Sequence, residues 1–154
     1  MITVIRITPD DDLQALVNQI NKGAWDADND ITPYDVESLK LFLQSQDTVF
    51  VVAYEGSESE KKFLGMASGR LEIKPYEKQR WLYVDEVDVC ADLRKKGAGK
   101  AMMQKLLQIA DEADCEELWL GTEVDNDAAN ALYTSLNPNE KEQFVGYSYW
   151  MEED

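Results

Sequence analysis

From Met1 to Thr8 apolar and polar residues alternate around Ile2 and Val4, which predicts a short strand ending at Pro9. Three aspartates, Asp10 to Asp12, can cap a helix that follows and runs to about Asn21. A polar, acidic loop holding Trp25, Asp26, Asp28 and Asp30 comes next. Thr32-Pro33-Tyr34-Asp35 then resembles an N-cap, a first-turn proline and a capping acid, opening a second helix that ends near Gln46. Thr48 to Glu55 (TVFVVAYE) and Phe63 to Ile73 flank the polar stretch GSESEKK and look like a hairpin, with Trp81 to Val89 (WLYVDEVDV) as a further strand. Between Gly97 and Ala113 the apolar residues Ala98, Met102, Leu106, Ile109 and Ala113 recur every three or four positions, and Met103, Leu107 and Ala110 widen the stripe. This helix is expected to cover a sheet. Glu117 to Thr122 (ELWLGT) reads as a short buried strand, Asp127 to Leu136 as a short helix and Phe144 to Met151 (FVGYSYWM) as a closing strand.

The predicted order is β-α-α-β-β-β-α-β-α-β, an α+β or mixed α/β class with a central mixed sheet, mostly antiparallel, flanked by helices. With 154 residues, no internal repeat and no long linker, a single domain over 1–154 is expected. Two cysteines, Cys90 and Cys115, suit a reduced compartment and read as small buried residues rather than nucleophiles. No stretch approaches the ~20 apolar residues of a membrane span, so a cytoplasmic protein with no membrane partner is expected. The chain has no histidine, which removes Ser-His-Asp and Cys-His nucleophilic sites, the usual catalytic zinc sites and imidazole proton shuttles. No metal is expected.

Thirty-one acids against 15 bases give a net charge of −16, which repels nucleic acid and favours cationic small molecules or basic peptides. Positive charge is nevertheless local. Between Asp92 and Asp111 there is no acid, yet Arg94, Lys95, Lys96, Lys100 and Lys105 all fall there. Arg94-Lys95-Lys96-Gly97-Ala98-Gly99-Lys100 joins a strand end to a helix start, where unpaired N–H groups and the helix dipole favour an anion. The spacing does not make a Walker P-loop, because Ala101 follows Gly99-Lys100, and a dinucleotide fingerprint would directly follow the first strand of a parallel unit.

The run from Val87 through Arg94 to Gly99 resembles the GNAT N-acetyltransferase signature L-x-V-x-P-x-x-R-x-x-G-x-G, with Ala91 in the proline position. Asn126-Asp127-Ala128-Ala129-Asn130-Ala131-Leu132-Tyr133 is similar to the family's second motif, N-x-x-A-x-x-L-Y, and Asn137 stands where a glycine usually follows. KPYEKQRWLYVDEVDV and DNDAANALYTSL look like the aminoglycoside 3-N-acetyltransferase branch, and the likeness extends over roughly Val49 to Leu136. It implies the GNAT fold, acetyl-CoA as acyl donor, transfer to an amine and a possible homodimer. A role in antibiotic resistance and one in housekeeping metabolism are both open.

By that resemblance the backbone from Arg94 to Lys100 holds the coenzyme's pyrophosphate. The strand edge at Val87, Asp88 and Val89 pairs with its pantetheine amides, and an N–H near Val89 faces the thioester oxygen. Asn126 and Ala129 face the pantetheine arm, and Tyr133 protonates the departing thiolate. The attacking amine must be neutral, and a lysine-like amine of pKa ~10.4 pays roughly 4.6 kcal/mol for that at pH 7. Without histidine the candidate bases are the strand-end carboxylates Asp85, Glu86 and Asp88, acting through a water. Glu86 aligns with an acid of the aminoglycoside branch. On a strand Glu86 and Asp88 share a face and Asp85 takes the other. Trp25, Asp26, Asp28, Asp85, Glu86 and Glu123 are the candidate contacts to a polyamine-like or aminoglycoside acceptor. Acetylation of a protein lysine or N-terminus, and a non-catalytic acyl-CoA sensor, are the alternative readings.

Overall fold

A computed structural model describes residues 1–93 and 97–152, and within these the Asp28 side chain lies outside the description. The elements are β1 (Ile2–Arg6), α1 (Leu13–Lys22), α2 (Val36–Gln44), β2 (Thr48–Glu55), β3 (Lys62–Ile73), β4 (Arg80–Val89), α3 (Ala98–Glu112), β5 (Glu117–Trp119) and α4 (Asp127–Ser135). Short 3-10 turns span Ala27–Asn29 and Ala91–Leu93. The chain divides into two compact units, Met1–Gly121 and Thr122–Asp154.

The first unit is a five-stranded sheet in the order β1-β2-β3-β4-β5. Its first three pairings are antiparallel and β4 with β5 is parallel, as expected where α3 connects them. Helices pack on both faces. On one, α1 buries Leu13, Leu16, Val17 and Ile20, an i, i+3, i+4, i+7 set, against Phe50, Val52 and Met66 together with Leu39 of α2. On the other, α3 buries Ala98, Met102, Leu106 and Ile109 together with Gly99, Met103 and Ala110. Leu107, which the widened stripe includes, is 43% exposed and stands outside it. Ile20, Leu64, Met66, Leu82, Met102 and Leu106 are the largest fully buried side chains, each worth roughly 1.5–3 kcal/mol of transfer from water.

Local chemistry fixes the helix starts. Asp12 caps α1 by accepting from the Ala15 N–H at 3.1 Å. The cap of α2 is Asp35, not Thr32. Its carboxylate accepts from the Ser38 N–H at 2.7 Å and the Ser38 hydroxyl at 2.8 Å. Thr32 and Pro33 stay in the loop because Asn21 bonds both backbone groups of Tyr34 at 2.8 Å, accepting from its N–H and donating to its carbonyl. That clamp delays the helix.

Two register shifts interrupt the ladders. One falls between Ala53 and Tyr54, and the other places a bulge in β4: Gly69 faces Val84 whereas Ser68 faces Glu86, leaving Asp85 as the extra residue. An insertion of one residue reverses which face later side chains occupy. Leu82 and Val84 therefore share a face with Val87 and Val89, the side covered by α3. Glu86 and Asp88 turn instead to the α1/α2 side, beside Ser68 and Met66.

In the second unit Asn126 caps α4, accepting from the Ala129 N–H at 3.1 Å. Asn137 just beyond the helix has φ 55°, the left-handed backbone for which glycine is the first choice and asparagine the next, so asparagine suits this turn. The closing strand expected at Phe144–Met151 is not formed. Tyr149 and Trp150 are 82% and 91% exposed, and the strand-forming composition finds no ladder among the described residues of this unit. Strand propensity reports fit to a half-buried pleated surface and does not supply one. For the same reason β5 stops at Trp119 rather than Thr122.

Candidate functional site

The turn into α3 is built for close approach to its backbone. Gly97 is the N-cap with φ 91° and ψ 10°, a conformation costly for any residue with a Cβ, and among the described residues no side chain caps the helix. The first N–H groups of this 15-residue helix find no side-chain acceptor among the described residues and lie in the field of the helix dipole. Ala98 and Gly99 are buried and Lys100 is exposed. Arg94, Lys95 and Lys96 lie outside the described residues. Along the sheet, β5 pairs with β4 only from Trp81 to Tyr83. Among the described residues no strand adjoins that edge of β4 from Val84 to Val89, where the expected contacts Val87, Asp88 and Val89 lie. An uncapped helix start and an open strand edge suit a ligand with an anionic head and an amide-bearing arm.

On the opposite face of β4 two cavities meet at Ile31 and Pro33. The larger, ≈ 630 Å³, is lined by Asn21, Trp25, Asp26 and Asp30, among others. The second, ≈ 470 Å³, is lined by Tyr34, Phe42, Phe50, Ser68 and Glu86. Trp25 is half-buried, donates its indole N–H to the Ile20 carbonyl at 2.8 Å and stands edge-on to Phe63, so its wall is rigid.

Glu86 is solvent-exposed on the cavity wall, yet partial desolvation, the Asp88 charge, a hydrogen bond with Asp88, and the more distant Asp85 and Asp30 push its carboxyl up to about 7. Asp88 is 6% exposed. Burial raises its carboxyl too, while the Asn29 side-chain N–H, donated at 3.0 Å, pulls the other way. Tyr34 is pushed up to about 12 by burial and then by Glu86 and Asp88, and stays a neutral hydroxyl at every physiological pH. Asp85, on the bulge, is held apart in a two-point pairing with the Arg70 guanidinium, both N···O distances being 3.2 Å. Burial raises the thiols of Cys90 and Cys115, as befits packing residues.

The candidate residues thus sort by unit. Trp25, Asp26, Asp85, Glu86, Val87, Asp88, Val89 and Gly97 to Lys100 belong to Met1–Gly121, as does Asp28, whose side chain is not described. Glu123, Asn126, Ala129 and Tyr133 belong to Thr122–Asp154. There Glu123 is exposed and Tyr133 is half-buried. Asn130 fastens the preceding loop to α4 by donating to the carbonyls of Glu123 at 3.0 Å and Asn126 at 2.8 Å. Sequence reasoning missed Asn29, Tyr34 and Asn130. Tyr34 carried a signal, an aromatic beside a helix cap in an acidic loop. Asn29 carried none, since its partner lies 59 positions away.

The model of the acetyltransferase (GNAT) family matches residues 15–137. No curated protein matches the chain. Among solved structures, an aminoglycoside acetyltransferase from an uncultured soil metagenomic sample, in complex with trehalose, superposes with a TM-score of 0.82 at 21% identity over 98% of this chain and 97% of that one. The same acetyltransferase in complex with sisomicin gives 0.80 at 20% identity, with the same shares covered. A ribosomal-protein-alanine N-acetyltransferase from Brucella melitensis biovar Abortus 2308 gives 0.72 at 17%, over 97% and 99%. At these identities the likenesses establish the fold, and the family match over most of the chain establishes membership: this protein is an acetyltransferase of the GNAT family.

Proposed function

We propose that the protein, acting as one catalytic domain, transfers an acetyl group from acetyl-CoA to a primary amine of a cationic small molecule of aminoglycoside or polyamine type, by direct attack. The observation that carries this reading is Glu86, a carboxyl with its pKa near neutrality on the wall of a cavity that adjoins the acidic Asp26 and Asp30 loop. A base is best matched to its task when its pKa lies near the working pH. The surrounding acids attract a polycation, and sisomicin in a neighbour of the same fold is in keeping with that class.

When bound, acetyl-CoA supplies an activated acyl group on sulfur. In the first unit the N–H groups from Gly97 to Lys100 would hold its pyrophosphate and the β4 edge from Val87 to Val89 would pair with its amides; in the second unit Asn126 and Ala129 are the residues that the family's motif assigns to the arm. Glu86 takes the amine proton through a water as the N–C bond forms. An N–H near Val89 would donate to the acyl carbonyl oxygen, a contribution of roughly 2.7–4 kcal/mol per donor in comparable sites. Tyr133, in the second unit, would be the proton donor to the departing thiolate. A phenol of pKa ~10 is close enough to a thiol of pKa ~8.5 for that exchange.

Thiol release from acetyl-CoA, followed spectrophotometrically against sisomicin, other aminoglycosides, spermidine and basic peptides, is expected to show turnover with a small polycation. Tyr133→Phe is expected to lower kcat about tenfold or more with little change in the affinity for acetyl-CoA. Turnover confined to peptides would transfer the assignment to a protein acetyltransferase. Coenzyme binding with no turnover on any amine would make the chain a sensor.

A further inference from the structure

Asp88 is a buried carboxylate with one oxygen satisfied and one not. Its Oδ1 accepts from Asn29 Nδ2 at 3.0 Å. Its Oδ2 is enclosed by protein and, among the described residues, has no partner when both nearby carboxyls are ionised. A buried oxygen left so costs about 1–3 kcal/mol, more when charged. The neighbour within hydrogen-bonding reach is Glu86, two residues along the same face. Two ionised carboxylates have only acceptors to offer each other, so the bond exists only while one of them keeps a proton.

The orientation of Asn29 decides which one. Its side-chain oxygen accepts from the Asp26 N–H at 3.2 Å, so its amide nitrogen must be the atom that faces Asp88. A donor fixed on Asp88 favours the ionised form there and leaves the shared proton on Glu86. Resting on the assignment of Glu86 as the base, we propose that Asn29 and Asp88 are positioning residues: Asn29 pins Asp88 as the acceptor, and Asp88 holds the proton-bearing oxygen of Glu86 in line on the cavity wall. When Glu86 takes a proton from an amine, the hydrogen bond to Asp88 forms again and returns the carboxyl to that orientation.

Among the described side chains, the groups facing this pair are few. Tyr34, from the loop before α2, faces both carboxyls as a neutral hydroxyl, and Ser68 of β3 stands opposite Glu86. Asp30 and Asp26 of the acidic loop act on Glu86 and Asp88 respectively, and Asp85 of β4 also acts on Glu86. All three are acids that disfavour a second negative charge, so they reinforce retention of one proton by the pair.

Carboxyl-carbon NMR of the whole chain labelled at Asp and Glu tests this without an acceptor. In the wild type the Glu86 resonance is expected to carry the neutral-range titration. In Asn29→Ala that amplitude passes in part to Asp88, which has lost the donor that kept it ionised. In Asp88→Asn the Glu86 titration falls by about one to two pH units, because a like charge is replaced by an amide donor. The acidic limb of kcat/KM, measured with acetyl-CoA and sisomicin or spermidine, should fall by the same amount. A wild-type Glu86 that titrates in the usual carboxylate range, a result that needs no variant to fold, would overturn the proposal, as would an Asn29→Ala spectrum with the amplitudes unchanged. If the resonances move as described while the acidic limb stays in place, Glu86 is not the base and the positioning role falls with it, although the proton-sharing pair stands.

Discussion

Glu86→Gln lowers kcat by about 10²–10³-fold while the KM for acetyl-CoA stays within about twofold, because the substitution removes a proton acceptor and no contact to the coenzyme. In the wild type the rate rises with pH through about 7, where Glu86 loses its proton, and the variant has no such limb. The same carboxyl leaves a signature in stability with a definite sign. Its folded value of about 7 lies above the ordinary 4.5, so between these limits the native state holds more protons than the unfolded one. Stability is therefore lost as pH rises through that window. Melting temperatures of wild type and Glu86→Gln should nearly coincide at about pH 5, with the variant higher at about pH 8, since glutamine has no proton to lose. A less active but more stable variant at alkaline pH is what a residue strained for function gives. Equal rates, or a variant less stable than wild type at alkaline pH, would remove Glu86 from the chemistry.

Where the pattern carried its own periodicity, the fold was legible. The α1 stripe, the strand of β-branched and aromatic residues from Thr48 to Glu55 and the long α3 helix each encode their burial within one segment. Two kinds of feature escaped. Phe144–Met151 has the composition of a strand, but a ladder needs a second segment, and composition cannot report whether one is adjacent. The bulge at Asp85 is likewise silent, since WLYVDEVDV reads as unbroken alternation. Its consequence is large: strict alternation would set Glu86 and Asp88 on the Val84 face beneath α3, whereas the extra residue sends them to the cavity side. Of the candidate site, the acids and the glycine turn were legible from residue type and spacing. The partnership of Asn29 with Asp88 is made by the fold, across strands and a loop, and no local pattern contains it.

The β3–β4 ladder that carries this arrangement has a point at which one methyl group is enough to spoil it. Gly65 lies opposite Val89, and a Cβ built on it would sit 2.4 Å from the Asp88 carbonyl oxygen and 3.1 Å from the Val89 Cα, with the Met102 methyl 3.2 Å away. Two of those three atoms are backbone, so relief requires the strands to part rather than a side chain to rotate. Gly65→Ala is expected to cost about 3 kcal/mol, at the upper end for overpacking, since Met66 on one side and Met102 on the other are fully buried and leave no slack. For a chain of this size that is a fall in melting temperature of about 6–12 °C. Gly146→Ala is the control, with nothing within 4 Å of the added carbon, and should stay within about 0.5 kcal/mol of wild type. The displaced backbone belongs to Asp88 itself, so the surviving folded fraction should also lose the hydrogen bond from Asn29 and with it the neutral-range titration of Glu86. A variant that melts with the wild type would mean that β3 and β4 do not approach as closely at Gly65 as this register requires. The placement of Glu86 and Asp88 on the cavity face would then need another cause.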